Sequence, residues 1–244
     1  TRMSPYSTPA AIILPKAGYA VVKGNHDNVP FMLSFFATSL SRTHKHEDNL
    51  SFTLFFDGIE WLIDPSFYSH EYKAPVPAYL RSAVAHNVLC FPDKEYSIDP
   101  GRATLDGATV DHKVFLRGEH RAYTGVVVRR TMNGCLDELL LDVEDGADVE
   151  HQGYGEARLM FHCGDGVDAD VAGHNVSLTH AGSSYRLIIE LPEDCGTVRI
   201  TRGEEKGMHV RGITGLGFFE KSPINTIECV VGTHPLVKWK LRVT

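Results

Sequence analysis

The chain has 244 residues, with 24 Lys and Arg against 31 Asp and Glu, for a formal charge of −7. Hydrophobic residues make up 43% and charged residues 23%, ordinary proportions for a globular protein that exclude a disordered chain. The mild acidity argues against nucleic acid, whose binders carry a basic excess, and no apolar run approaches the roughly 20 residues of a bilayer-spanning helix.

The opening TRMSPYSTPA lacks the charged start and apolar stretch of a secretory leader. Short runs rich in β-branched and aromatic residues follow at 18–23, 31–38, 50–56 and 59–64. Asp57-Gly58 separates the last two and predicts a tight hairpin. Residues 79–86 have the spacing of one short helix. Further strand-like runs are 110–116, 123–132, 138–144, 157–162, 184–191, 198–202, 226–231 and 239–243. Turn dipeptides punctuate them at Asn133-Gly134, Asp145-Gly146, Asp165-Gly166 and Ala181-Gly182. No linker or internal repeat divides the chain. The expected fold is all-β: a large antiparallel β-sandwich over residues 1–244, with few or no long helices. The five cysteines, Cys90, Cys135, Cys163, Cys195 and Cys229, are dispersed with no paired spacing and read as buried thiols.

The unusual segment runs from Ser41 to Phe91 and contains THKHEDNLSF, WLIDPSFY and YLRSAVAHN. His44 and His46 are two apart, so an extended backbone would turn both imidazoles to one face. Asp64 ends the hairpin that follows, and His86 comes after a Tyr-, Lys- and Pro-bearing loop. Two imidazoles and a carboxylate suit zinc with an open position. The plainer reading is that these groups satisfy buried hydrogen bonds at a sandwich edge.

The order HxHxDxLSF, a strand ending in Asp-Pro, a Tyr-bearing loop and RSxxAHN resembles the C-terminal β-sandwich of the heparinase II/III-like polysaccharide lyases. The matching positions are His44, His46, Asp48, Ser51, Phe52, Asp64, Pro65, Arg81, Ser82, Ala85, His86 and Asn87. The resemblance implies zinc held by His46, Asp64 and His86, with His44 lining a catalytic groove. It implies a tyrosine acting beside His44, with Tyr79, Tyr72 and Tyr68 as candidates in that order. It also implies β-elimination at a uronic acid in an anionic polysaccharide, its carboxylate met by Arg81, Lys45 or Arg42, with Asn87 at the same loop either contacting substrate or orienting His86. Asp48 reads as a carboxylate supporting the loop or a metal-bound histidine. A periplasmic or secreted location follows from the resemblance alone.

Two features depart from that pattern. Relatives usually carry Gly after Asp-Pro, where this chain has Ser66. Nothing in these residues reads as the long α/α toroid that forms the other wall of the groove, which leaves that wall to a separate or missing helical domain. The alternative is a carbohydrate-binding or assembly module that keeps zinc as a structural clip. GITGLGF at 212–218 lacks the order and context of a nucleotide loop.

Overall fold

The computed structural model describes residues 9–150, 155–233 and 235–244; most of the opening segment read above lies outside them. In chain order the first sheet is a meander of five antiparallel strands: β1 (Ala10–Leu14), β2 (Tyr19–His26), β3 (Val29–Phe36), β4 (Phe52–Phe56) and β5 (Ile59–Leu62). Helix α1 (Pro75–Arg81) and a 3-10 turn (Ala83–Ala85) precede the short β6 (Leu89–Cys90). Next come β7 (Ala103–Val110), β8 (Lys113–His120), β9 (Val126–Cys135), β10 (Leu140–Val149), β11 (Ala157–His162), β12 (Val167–Ala172), β13 (Asn175–His180) and β14 (Arg186–Glu190). The chain finishes with β15 (Val198–Arg202), β16 (Glu204–Lys206), β17 (His209–Arg211), β18 (Ile213–Gly217), β19 (Glu220–Pro223), β20 (Asn225–Gly232) and β21 (Leu236–Val243).

One layer of the sandwich is an eight-stranded sheet in the order β12-β13-β14-β21-β10-β9-β8-β7. Alternation sets its faces. Met132, Val143, Trp239 and Leu241 are buried, whereas Lys238 and Lys240 point outward and pair across strands with Glu144 and Asp142, each at 3.1 Å. The facing layer combines the five-stranded meander with a four-stranded sheet, β15-β20-β11-β6. These two sheets are joined where Leu62 bridges Cys163 and the Ile63 amide donates to the His162 carbonyl at 2.9 Å. Trp239 closes the core between the layers, with Phe161 edge-on at 5.0 Å and Phe52 at 5.9 Å. No helix among the described residues is long and apolar enough to cross a membrane.

The expected class therefore holds, and so does the 57–58 hairpin, whose Asp57 and Gly58 have φ of 52° and 75° as a two-residue turn requires. Several local readings change. The run 110–116 straddles a turn at Asp111-His112 rather than forming one strand. Asn133-Gly134 and Asp145-Gly146 lie inside paired strands β9 and β10, because sheet pairing on both sides outweighs their turn preference. The short helix begins at Pro75, where a proline costs no hydrogen bond, and ends at Arg81 rather than continuing to His86. Its apolar face, Val76, Tyr79 and Leu80, joins Val84, Met160 and Ile213 in a small second core. Cys90, Cys163, Cys195 and Cys229 are buried, Cys135 is half-buried, and all five are free thiols.

Candidate metal centre and catalytic rim

The segment 39–49 between β3 and β4 is not extended, so the two histidines of HxH part company. His44 has a left-handed backbone, φ 57°, and an exposed ring 5.9 Å from that of His70. His46 lies deeper, its ring 5.5 Å from that of His86. The loop is held in this shape by Glu47, whose amide donates to the Arg81 carbonyl and whose carboxylate accepts from the Ala83 amide, each at 2.9 Å. The end of α1 and the His46 loop are thereby latched together.

His46, Asp64 and His86 each offer one ligand atom, and these atoms lie within 4.8 Å of one another. His86 is fully buried. Its Nδ1 bonds the Asp64 carboxylate at 2.8 Å, while its Nε2 has no hydrogen-bond partner. An orphaned buried ring nitrogen costs about 1–3 kcal/mol, a penalty that a metal ion would offset. The donor set suits a borderline-soft divalent ion, so these three residues fit the metal that the resemblance implies.

Electrostatics follow from the same packing. Burial would raise the Asp64 carboxyl, but the charge and hydrogen bond of His86, with the Ser66 amide, hold it at about 2. Burial and then the charge of His86 lower the His46 imidazole to about 4. His86 is raised: burial opposes its charge, and Asp64 outweighs burial.

Asp64-Pro65 is pinned from behind by β18. The Gly215 amide donates to the Pro65 carbonyl at 2.9 Å, and the Thr214 hydroxyl donates to the same oxygen at 3.1 Å. A Cβ at Gly215 would stand 2.0 Å from the Phe67 carbonyl oxygen, so only glycine allows this approach. Thus Gly212 and Gly215 of the 212–218 segment serve close backbone packing. Ser66 adopts φ 63°, the left-handed region that glycine enters without strain, which accounts for the glycine that the resemblance leads one to expect there.

Beneath the cluster lies a fully committed polar layer. Asn87 donates from its amide group to the Phe52 and Ile63 carbonyls at 2.7 and 2.9 Å, and its side-chain oxygen accepts from the His162 amide at 2.7 Å. With no exposed surface, Asn87 orients the His86 loop and does not reach a bound substrate. His162 is wedged between Asn87 and the Val84 carbonyl, and burial holds its imidazole down at about 3. Nothing in the sequence around this strand residue marks it for that role.

The other predicted residues divide by exposure. Tyr79, the first tyrosine candidate, is corrected: its phenol is buried at 3.3 Å from the Gly212 amide and 3.4 Å from His162 Nε2. Tyr68 is half-buried, its ring edge-on to Phe219. Lys45 is likewise corrected as a substrate contact, because its side chain is 6% exposed and paired with Asp48. Arg42 is paired with Asp99. Tyr72 and Arg81 remain reachable. The Arg81 guanidinium stacks 4.1 Å over the Tyr72 ring and donates to the Lys45 carbonyl at 3.3 Å.

Sequence reasoning missed His70, an exposed residue whose Nδ1 shares a 2.8 Å hydrogen bond with the Tyr72 hydroxyl. Phe218 packs edge-on against its ring at 5.6 Å. Only its place in the Tyr-bearing loop, two residues from Tyr72, could have marked it. His44, His70, Tyr72 and Arg81 therefore form a polar rim that opens to solvent beside the buried cluster.

Comparison with known proteins agrees with this architecture. The family model "Heparinase II/III-like, C-terminal" matches residues 7–215. The heparan sulfate lyase HepC from Pedobacter heparinus is similar in fold, with a TM-score of 0.79 at 15% identity, over 96% of this chain and 36% of that one. A heparinase III crystal structure gives a TM-score of 0.75 at 13% identity, over 96% of this chain and 36% of that one. The chain thus spans about a third of the length of these structures. No curated protein sequence matches it. The chain belongs to the heparinase II/III-like family and carries that family's C-terminal β-sandwich.

Proposed function

We propose that this β-sandwich is the zinc-holding part of a polysaccharide lyase that cleaves uronate-containing glycans by β-elimination. The observation that carries the reading is the pairing of a half-buried His46–Asp64–His86 cluster, with the buried and unpartnered His86 Nε2, and an open rim of His44, Tyr72 and Arg81 beside it. When bound, zinc would tie the His46 loop, the end of the hairpin and the His86 loop into one coordination shell.

The rim residues supply what the reaction needs. The carboxylate of a uronic acid must be neutralised so that the proton on the adjacent ring carbon becomes acidic, and the planar guanidinium of Arg81 suits that task. His44 removes the ring proton as base. The carbon–oxygen bond to the leaving sugar breaks, a carbon–carbon double bond forms, and Tyr72 protonates the departing oxygen. Histidine and tyrosine suit these transfers because their proton affinities tune toward working pH. The 2.8 Å hydrogen bond between the Tyr72 hydroxyl and His70 Nδ1 fixes the phenol for its part. The partner implied is an anionic polysaccharide, with a helical domain, on this or another chain, as the second wall of the groove.

Elemental analysis of the purified chain is the first test, with about one zinc per chain expected and loss of it in His46→Ala. Heparan, chondroitin, hyaluronan and alginate are then assayed by absorbance of the unsaturated product. His44→Ala is expected to abolish turnover while its melting curve stays within about 0.5 kcal/mol of the parent. Equal destabilisation by His44→Ala and His46→Ala would overturn the division of roles. Zinc and glycan binding without turnover once the helical wall is supplied would favour the non-catalytic module.

A further inference from the structure

Two irregular loops carry the imidazoles of the cluster, and one buried side chain touches both. Arg130 on β9 donates from Nη1 to the Leu50 carbonyl at 2.7 Å and to the Asn87 carbonyl at 2.6 Å. Leu50 closes the loop that holds His46, and Asn87 follows His86 directly. The same guanidinium binds Asp145 on β10 through two bonds, Nε to Oδ1 at 2.7 Å and Nη2 to Oδ2 at 2.9 Å. Asp145 Oδ2 also accepts the Trp239 indole N–H from β21 at 2.7 Å. The Arg130 and Asp145 side chains are 0% and 1% exposed.

A buried ion pair of this kind is weak evidence for stability, because apolar residues of similar volume often replace it without loss. Its geometry is more informative. A guanidinium is a rigid plane with donors in fixed directions, so two carbonyls bonded to one nitrogen have their separation set. Leu50 needs such restraint, since its backbone is left-handed with φ 69°. Near this point the loops are also tied directly by the neutral bond from the Asn87 amide to the Ser51 hydroxyl at 3.1 Å, while the Glu47 carboxylate holds the Ala83 amide further along, at 2.9 Å. Bonds from a charged donor are roughly twice as strong as neutral ones.

We infer that Arg130 is a positioning residue for the metal cluster: it sets the spacing of the His46 and His86 loops, and Asp145 and Trp239 anchor it to the opposite sheet. The inference rests on the zinc reading above and extends it to residues in the facing layer. It is tested by the zinc affinity of the folded chain, measured by competition with a chromophoric chelator. The double variant Arg130→Met with Asp145→Leu removes both charges together and keeps the volume. Its zinc affinity is expected to fall about 10- to 100-fold, as for loss of an outer-shell support, while its circular dichroism stays that of the parent. Arg130→Lys should fall in between, since an ammonium retains the charge without the planar fork. A folded double variant with parental affinity overturns the inference.

If the parent chain binds no zinc, the metal reading fails and the positioning role is judged on the imidazole resonances of the metal-free chain. Those of His46 and His86 should shift in the double variant while that of the distant, exposed His112 stays; unmoved signals overturn it. Should the double variant not fold, Arg130→Lys carries the same two readouts.

Discussion

The two arginines nearest the site, Arg130 and Arg81, are the same side chain put to opposite uses. Arg130 has every bond spent on its neighbours in the core, two to Asp145 and two to loop carbonyls. Arg81 is half-buried, lies flat on Tyr72 and spends one bond on the Lys45 carbonyl, leaving donors free for a ligand. The histidines divide the same way: His86 and His162 are enclosed, His44 and His70 face solvent. A site that must be both rigid and reachable obtains rigidity from a buried layer and reach from a thin rim above it.

Substitutions can break that contrast. The largest effect is expected from Asp145→Ala, which leaves the Arg130 charge buried without its partner and strips the Trp239 indole of its acceptor. Loss of about 3–5 kcal/mol in denaturant unfolding is expected, as for a buried pair broken on one side. A loss below 1 kcal/mol would mean that water reaches the clamp.

Next comes the acid limb of stability. Burial, with Lys45 nearby, lowers the His120 imidazole to about 3, between the rings of Tyr96 at 5.6 Å and Tyr123 at 5.8 Å. In the unfolded chain it protonates near its ordinary value of about 6.5. Between these two values the unfolded state binds the extra proton, so stability is complete above about pH 6.5 and falls as pH drops toward 3. His120 alone contributes a slope of up to about 1.4 kcal/mol per pH unit, and enclosed His162 adds its own. His120→Phe should remove one proton's worth of that slope in urea titrations at pH 4–6; an unchanged slope would show that His120 is not held neutral by burial.

The smallest effect is expected at the turn after Asp64. Ser66→Gly relieves a left-handed backbone at an exposed position and should stabilise by about 0.5 kcal/mol, part of the gain offset by the greater freedom of glycine when unfolded. The measurement is thermal unfolding, and a destabilised variant would show that the Ser66 hydroxyl has a role of its own.

The sandwich was legible because its strands alternate and its first hairpin carries Asp-Gly, both local signals. The convergence of His46, Asp64 and His86 was legible only through the resemblance carried by HxH, Asp-Pro and AHN, which lie in one stretch of about 45 residues. Arg130 was not, since it sits 43 residues beyond Asn87 and acts through backbone carbonyls, which leave no side-chain pattern. Tyr79 was ranked above Tyr72 from the loop alone. Whether a phenol points into the second core or out over Arg81 depends on where β17 and β18 pack on α1, a contact made from more than 120 residues away. The faces of His44 and His46 were misread because the alternation rule was applied to a segment that is not a strand.

The position of β21 has a bearing on how the molecule comes together. It lies in the middle of the eight-stranded sheet, hydrogen-bonded to β14 on one side and β10 on the other. Without β21 the sheet would be two separate blocks with open edges, and this strand, the latest of the eight in sequence, is the one that joins them. Pairings this distant in sequence make for slow folding, and the unpaired edges are available to other chains meanwhile. Trp239 arrives on that strand and completes the Asp145–Arg130 clamp. The restraint on the Leu50 and Asn87 carbonyls is thus complete only once β21 has docked, so the spacing of the histidine loops is tied to the most distant pairing in the sheet.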